Sequence, residues 1–294
     1  MKEIINQEES FLIGDIEEIS INVSSTNVKV ISTDDEKIKV HFHGDISTNK
    51  EKSIPYLDCN ENDKRLEISI ERKSKISFGI VHVKSDLRLD IYIPKNYLND
   101  VSIKKSSSDI KIENLNIRDF KCKSSSGDTD IESIICKNAY IDTSSGKVDI
   151  EEFDGNLDVS SSSGSVRIGY KNTNNDIKVK TSSGKVNINL LNGGKNERVN
   201  SGLLDVHTSS GKVKIQQEVL NHDINVKTSS GSVKIKFPKN SEYYLKVNTS
   251  SGNIKTKTPL TTTEESKRNY LEGVLGTDTN KVKIKTSSGS VELE

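Results

Sequence analysis

Large hydrophobic and aromatic side chains are scarce in this sequence. Of its 294 residues, 31% are hydrophobic and 5% are aromatic, and tryptophan is absent. A globular chain of this length normally has more such side chains with which to fill a core. The apolar residues that are present are mostly Ile, Val and Leu, which pack well on a pleated sheet. The composition therefore argues against a conventional globule and favours β-structure.

An excess of charge of either sign is also missing. The 43 basic residues balance 43 acidic ones, so the formal net charge is zero and bulk charge predicts no nucleic-acid or membrane partner. No apolar run approaches the ~20 residues of a transmembrane segment. The first residues, MKEIINQEESFLIGDIEEI, lack the cationic and then apolar pattern of a secretory signal peptide. We therefore expect that the chain is not exported by that route, or that a leader has been removed.

The three cysteines have no partners in the sequence. Cys59, Cys122 and Cys136 form neither a disulfide framework nor a Cys-x-x-Cys metal pair. Cys122 takes a position that Ile or Val fills in other repeats, so it is predicted to be a small core residue.

The most prominent feature of the sequence is an internal repeat. The string TSSGKV begins at Thr143, Thr181 and Thr208, and TSSGSV begins at Thr228 and Thr286. Complete units are anchored on the corner glycines Gly127, Gly146, Gly164, Gly184, Gly211, Gly231, Gly252 and Gly289, which are 19, 18, 20, 27, 20, 21 and 37 residues apart. Two degenerate units have Ser108 and Thr26 in place of the glycine. Such a period indicates a repeat architecture.

Apolar and polar residues alternate on both sides of each glycine. Around Gly184, for example, Ile177 and Val179 precede the corner, and Val186 and Ile188 follow it. A period of two is typical of short strands with one inward face, and the change of parity across Ser-Ser-Gly predicts a bend that glycine absorbs. One turn of this size cannot fold alone, whereas stacked turns share hydrogen bonds and a core. The sequence thus predicts an all-β fold, a parallel β-solenoid (a single-chain β-helix) of ten or more short turns. It is expected to be right-handed because crossovers between parallel strands almost always are.

The repeat divides the chain into three parts. Residues 1–15 are predicted to be a lead-in, and residues 16–100 to form irregular turns and a cap over the open sheet edge. Residues 101–294 are predicted to form the regular turns. Excursions interrupt them at 190–202 and at 258–280, the second with one short helix around Glu264–Tyr270.

These repeats resemble a known family. TSSGKVNI and TSSGSVKI, behind the opening IEEISINVSSTNVKVISTDDEKIKVHF, look like the bacterial putative-adhesin domain of unknown function, which is common in Firmicutes. The similarity covers almost the whole chain. It implies a β-solenoid with a place at the cell surface or envelope, and it supplies no catalytic residues to carry over. Because the chain shows no signal peptide or transmembrane segment, a cytoplasmic location also stays open.

No catalytic, cofactor or metal site is predicted. Ser-Ser-Gly recurs in every turn, whereas an enzyme needs one activated serine beside a base, so the serines are interpreted as hydroxyls that bond along the corner. His41 and His43 lie two residues apart on a predicted strand and share a face, which is a spacing seen in metal ligands. Since no third ligand is evident nearby in the sequence, they are predicted to be a solvent-facing pair.

Charged residues at the third and fifth positions after each anchor should point outward and stack ~4.8 Å apart. They are acidic in early turns (Glu113, Asp130, Glu132, Asp149 and Glu151) and basic in later ones (Lys214, Lys234, Lys236, Lys255 and Lys257). The five lysines are either a solvated face or an anion-binding stripe, here called the lysine stripe, for a cell-surface polyanion, glycan or protein.

The sequence therefore predicts a non-catalytic, adhesin-like or envelope-associated module with a repetitive binding surface. One alternative is a scaffold or sensor of envelope stress, inside the cell or at the membrane. Another is a carbohydrate-active enzyme on a β-helix, which would need a local cluster of carboxylates that breaks the repeat.

Overall fold

The structure is a computed structural model that describes residues 1–49, 51–73, 83–191, 202–257, 260–262 and 268–294. These residues form β-strands and one 3-10 turn at Glu51–Ser53, with no α-helix among them. In this part of the chain no helix is long and apolar enough to cross a membrane. The predicted all-β, mostly parallel architecture is confirmed. Most of the 190–202 excursion lies outside the described residues. So do residues 264–267 of the short helix expected around Glu264–Tyr270, whereas Tyr270 itself begins a β-strand.

The chain divides into two compact units, Met1–Lys137 and Asn138–Glu294. The strands of the first unit are β1 (Lys2–Leu12), β2 (Glu18–Val23), β3 (Asn27–Thr33), β4 (Lys37–Thr48), β5 (Pro55–Asn62), β6 (Arg65–Arg72), β7 (Val83–Pro94), β8 (Asp100–Lys105), β9 (Ile110–Glu113), β10 (Leu115–Ser124) and the start of β11 (Thr129–Thr143).

Parallel pairing in the first unit builds two series of strands, one before and one after the corners. Strands β6, β2, β8 and β10 pair in that order, and so do β7, β3, β9 and β11. Three strands run antiparallel at the outer edges, where β4 pairs with β7, β1 with β4, and β5 with β6. Residues 1–15 thus contain strand β1, and the strands β4 and β5 cover edges of β7 and β6 that would otherwise leave backbone groups unpaired.

The strands of the second unit follow the repeat more closely. They are β12 (Val148–Ser161), β13 (Val166–Tyr170), β14 (Ile177–Thr181), β15 (Val186–Leu190), β16 (Leu203–Thr208), β17 (Val213–Gln217), β18 (Asp223–Thr228), β19 (Val233–Lys236), β20 (Tyr243–Thr249), β21 (Ile254–Thr256), β22 (Thr261–Thr262), β23 (Tyr270–Leu275), β24 (Lys281–Thr286) and β25 (Val291–Leu293). Before the corners the parallel order is β12, β14, β16, β18, β24, β20. After the corners it is β12, β13, β15, β17, β19, β25, β21.

The last turn of the chain does not lie last in space. Strands β24 and β25, which flank Gly289, lie between the turn of Gly231 and the turn of Gly252. The repeat pattern predicts instead that turns stack in chain order. The order differs because β23 pairs antiparallel with one edge of β20, so the returning chain can pair only with the other edge.

The core lies between the inward faces of the strands. Val186, Ile188, Val213 and Ile215 are fully buried and lie opposite one another in register on β15 and β17. Cys122 is buried too, as predicted, opposite Ile103 of β8.

Each Thr-Ser-Ser-Gly corner is closed by a side chain. The hydroxyl of the first residue accepts a hydrogen bond of 2.9–3.2 Å from the glycine N–H at Gly146, Gly164, Gly184, Gly211, Gly231, Gly252 and Gly289. The first residue is threonine at all of these except Gly164, where it is Ser161. This local bond satisfies the backbone amide at the bend, where strand pairing is interrupted.

Replacement of Thr208 by valine is expected to lower the free energy of unfolding by roughly 1–2 kcal/mol, because the buried N–H of Gly211 would lose its acceptor at 3.0 Å. Thr208→Ser keeps the hydroxyl and should cost less. Urea denaturation of both variants tests this expectation. A larger loss in Thr208→Ser than in Thr208→Val would mean that the methyl group, and not the hydrogen bond, stabilises the corner.

Candidate functional site

A groove of about 580 Å³ runs beside the corners of the second unit. Threonine and serine hydroxyls of successive corners line it, together with the outward residue that precedes each corner. In spatial order these outward residues are Asp142, Ser160, Lys180, His207, Lys227 and Lys285. We refer to this surface as the corner groove.

Four successive turns place a basic side chain at the same position of the corner groove. Lys180 lies opposite His207, His207 opposite Lys227, and Lys227 opposite Lys285 in the parallel register. Each side chain points outward because the next residue, a threonine, is buried. With a strand spacing of about 4.8 Å the four residues, here called the basic row, span about 14 Å.

The lysines of the basic row carry charge that no nearby carboxylate neutralises. Among the described residues, no carboxylate oxygen lies within 4.0 Å of Lys180, Lys227 or Lys285, and only His207 has an acidic neighbour, Asp205 at 3.1 Å. Two ammonium groups 4.8 Å apart repel by roughly 0.9 kcal/mol in water. An anion in the groove would relieve this repulsion.

Serine hydroxyls run parallel to the basic row. Ser182, Ser209, Ser229 and Ser287 are exposed on successive turns, while the backbone of each corner bonds to the next. For example, the Ser210 N–H donates to the Ser182 carbonyl at 2.9 Å. A hydroxyl both donates and accepts, so the groove offers hydrogen bonds as well as charge to an anionic ligand.

The predicted lysine stripe lies after the corners and is divided by acidic residues. Lys214 is opposite Lys234, but Glu292 of the last turn lies between Lys234 and Lys255. The Lys234 ammonium contacts Glu294 at 3.1 Å and Glu292 at 3.3 Å, and hydrogen bonds to these carboxylates raise its pKa. Lys257 likewise contacts Glu294, at 3.4 Å. These contacts exist because the last turn inserts before Gly252.

The predicted acidic positions are paired with basic side chains as well. Glu113 contacts Lys111 at 2.8 Å and Lys29 at 3.1 Å. In the second unit, Asp149 contacts Lys147 at 2.6 Å. Glu113 and Asp149 are therefore each neutralised by neighbouring lysines.

Sequence reasoning missed the basic row although its signal is present. When the repeats are aligned on glycine, the residues four positions earlier are Lys180, His207, Lys227, Asn248 and Lys285 in chain order. Asn248 interrupts the row in that alignment. In space, Lys285 lies between Lys227 and Asn248, so the four basic residues become contiguous.

The eight corner glycines all lie at bends between strands. The glycines are required mainly by close approach of neighbouring turns. A Cβ on Gly164, Gly184, Gly211, Gly231, Gly252 or Gly289 would lie 1.8–2.0 Å from the carbonyl oxygen of the adjacent corner. Of the described corner glycines, only Gly127 has a positive φ, 83°.

The residues of the groove offer little for catalysis. Asp142 is the one carboxylate among the described residues that line it, whereas glycosidases use two. The three cysteines are thiols and not disulfides, and burial raises the pKa of Cys59 to about 12 and of Cys122 to about 11. These two thiols are therefore protonated at neutral pH and are poor nucleophiles.

Comparison with known proteins gives one family and several structural neighbours. A family model described as Toastrack DUF4097 matches residues 16–154, 130–200 and 155–294. No curated protein matches the sequence.

Three crystal structures are similar to this chain at low identity. A putative cell adhesion protein from Clostridium sporogenes is 13% identical, with 98% of this chain and 99% of that chain covered and a TM-score of 0.29. A putative adhesin from Bacteroides fragilis is 15% identical, with 99% and 97% covered and a TM-score of 0.41. A putative adhesin from Parabacteroides merdae is 11% identical, with 78% and 92% covered and a TM-score of 0.31.

Proposed function

This chain belongs to the Toastrack DUF4097 family, and we propose that it is a non-catalytic, adhesin-like binding module whose corner groove holds an extended polyanion. The observation that carries this proposal is the basic row, in which Lys180, Lys227 and Lys285 have no acidic partner among the described residues. The right-handed winding and the number of turns remain predictions of the repeat pattern.

The chemistry of the groove favours a linear ligand with repeated negative charges. Basic side chains, three ammonium groups and one imidazole, recur at a fixed rise along one line, and serine hydroxyls recur beside them at the same rise. A polymer with regularly spaced phosphates can satisfy several of these groups at once, whereas a single small anion satisfies only one or two. A phosphate-bearing cell-surface polymer, such as a teichoic acid, is therefore the proposed ligand class.

The binding test compares two triple variants of equal charge. In the groove variant Lys180, Lys227 and Lys285 are each replaced by Gln, and in the stripe variant Lys214, Lys234 and Lys255 are each replaced by Gln. Exposed ion pairs contribute about 0.2–1 kcal/mol each, so the groove variant should bind linear polyphosphate or teichoic acid about 10-fold more weakly at low salt. The stripe variant should lose less than about threefold, because Lys234 is already paired with Glu292 and Glu294, and Glu292 lies between Lys234 and Lys255 in register. Titration calorimetry measures both affinities.

Salt gives an independent check on the same proposal. Exposed charges are screened over about 8 Å at physiological ionic strength, so parent binding should weaken steeply between low and physiological salt. The affinity of the groove variant should depend less steeply on salt.

Equal losses of affinity in the groove and stripe variants would indicate non-specific attraction. A loss of affinity in the stripe variant alone would show that the lysine stripe is the binding surface.

A further inference from the structure

Three antiparallel strands of the first unit carry an outward cluster of imidazole and carboxylate groups. His41 and His43 lie on β4 and alternate with Val40 and Phe42, which are fully buried. Asp90 lies on β7 between the buried residues Leu89 and Ile91. Because β4 and β7 pair with His41 opposite Asp90, all three polar side chains project from the same face of the sheet.

The three side chains converge closely. The two imidazole rings are stacked with their centroids 4.3 Å apart. The Nε2 atom of His43 lies 3.0 Å from Oδ2 of Asp90. One ligand atom from each of His41, His43 and Asp90 lies within 4.8 Å of the other two. Donor atoms bound to one zinc ion at about 2.0–2.1 Å, in tetrahedral geometry, are roughly 3.4 Å apart, so only small side-chain rotations are needed.

Strand β1 adds two further oxygen donors to the cluster. The Nε2 atom of His41 is 2.7 Å from Oδ1 of Asn6 and 3.6 Å from Oε1 of Glu8. Glu8 lies opposite His41 in the antiparallel register of β1 and β4, and its side chain is largely exposed. Glu8 can therefore rotate to supply a fourth ligand.

The basic residues nearest the cluster are directed toward other carboxylates. Lys29 of β3 lies opposite Asp90 in register, but its ammonium group contacts Glu113 at 3.1 Å. Arg88, two residues from Asp90, lies 3.7 Å from Asp86. The Asp90 carboxylate thus has the His43 imidazole as its described polar contact, with a ligand atom of His41 within 4.8 Å.

We propose that His41, His43 and Asp90 bind a divalent transition-metal ion of the Zn²⁺ class, with Glu8 as a fourth ligand. Two imidazoles and one carboxylate are a donor set typical of Zn²⁺ and neighbouring first-row metals. Ca²⁺ and Mg²⁺ prefer sites made entirely of oxygen ligands. A bound ion would join β1, β4 and β7. This site is independent of the corner groove, since all its residues belong to the first unit.

Titration of the full chain with Zn²⁺ tests the proposal, with Co²⁺ as a spectroscopic probe of the ligand set. We expect one ion to bind per chain, and the melting temperature to rise with Zn²⁺ because the ion binds the folded state. His43→Gln and Asp90→Asn should each weaken Zn²⁺ binding by about 100-fold. Loss of a residue that only orients a metal ligand already weakens binding by about 10- to 100-fold, and these two residues are direct ligands. Binding should also weaken from pH 7.5 to 5.5, because imidazole must be neutral to bind a metal.

Two variants serve as controls. His207→Gln removes a histidine that also lies beside an aspartate, Asp205 at 3.1 Å, and should leave Zn²⁺ affinity unchanged. Cys59→Ser removes a thiol of the first unit and should also leave it unchanged. Circular dichroism of each variant checks that it is folded. A dissociation constant above about 1 mM for the parent, or binding that survives in His43→Gln and Asp90→Asn, would overturn the proposal.

Discussion

Replacement of Gly184 by alanine is expected to lower the free energy of unfolding by about 3 kcal/mol. The new Cβ would lie 1.8 Å from the carbonyl oxygen of Gly164 and 2.6 Å from its carbonyl carbon. Both atoms belong to the backbone and cannot rotate away, so the two turns must separate. Overpacking of this kind typically lowers stability by about 1–3 kcal/mol. We expect the upper end of this range for Gly184→Ala, because the contact is with backbone atoms.

Separation of the turns would also weaken hydrogen bonds that cross the corner. The Ser182 N–H donates to the carbonyl of Ser161 at 3.2 Å, and the Ser183 N–H donates to the carbonyl of Ser162 at 3.1 Å, both in the preceding turn. Each such bond contributes roughly 0.5–1.5 kcal/mol net. The penalty therefore arises from close approach and does not require a left-handed backbone at this glycine.

Lys185→Ala is the matched control for Gly184→Ala, because it introduces the same residue one position further along. Lys185 is exposed, and a surface substitution usually changes stability by less than about 0.5 kcal/mol. Urea denaturation of the parent and both variants measures the difference. Equal unfolding midpoints for Gly184→Ala and Lys185→Ala would show that adjacent corners are not packed as described.

Acidification is expected to lower the free energy of unfolding by roughly 3 kcal/mol between pH 7 and pH 4 through His222 alone. This side chain is 2% exposed. Its Nε2 atom lies 2.9 Å from the Tyr170 hydroxyl and 3.0 Å from the Gln217 side-chain nitrogen. Both neighbours can donate to an unprotonated Nε2, so the neutral ring is the form that the site accepts.

Burial lowers the pKa of His222 from 6.5 to about 4, and the nearby Asp223 opposes this shift only in part. Between these two pH values the unfolded chain binds the proton and the folded chain does not. Stability from His222 is thus fully present above about pH 6.5 and is lost progressively as the pH falls to 4. Each unit of difference between the pKa values of the unfolded and the folded state contributes about 1.4 kcal/mol to the free energy of unfolding.

The contribution of His222 is isolated by subtraction. Urea denaturation at several pH values between 7 and 4 should give a steeper acid loss for the parent than for His222→Gln, which has no titrating ring. Carboxylates contribute equally to both proteins and cancel. Parallel curves for the parent and His222→Gln would contradict the burial of a neutral histidine.

Much of the fold follows from local features of the sequence. Val186 and Ile188 alternate with polar neighbours, and this alternation determines which face of the strand is buried. Successive side chains of a strand point to opposite faces of the sheet. The Thr-Ser-Ser-Gly strings place the bends for a similar reason, since the threonine and the glycine that it bonds are only three residues apart. Both kinds of information lie within a few residues, so they can be predicted without knowledge of the neighbouring turns.

The order of the turns could not be predicted, because every unit offers nearly the same strands for pairing. The turn of Gly289 lies between those of Gly231 and Gly252 because β23 occupies one edge of β20. That order makes the basic row contiguous by placing Lys285 beside Lys227, and it brings Glu292 between Lys234 and Lys255.

The candidate metal site shows the same division between local and long-range information. The sequence places His41 and His43 on one face of a strand because they lie two residues apart. It gives no sign of Asp90, which is 47 residues from His43 along the chain. Only the antiparallel register of β4 and β7 brings that carboxylate to the two rings. Sequence alone thus determined the strands, the corners and the inward faces, whereas tertiary pairing decided which charged groups became neighbours, because register between distant strands depends on the whole sheet.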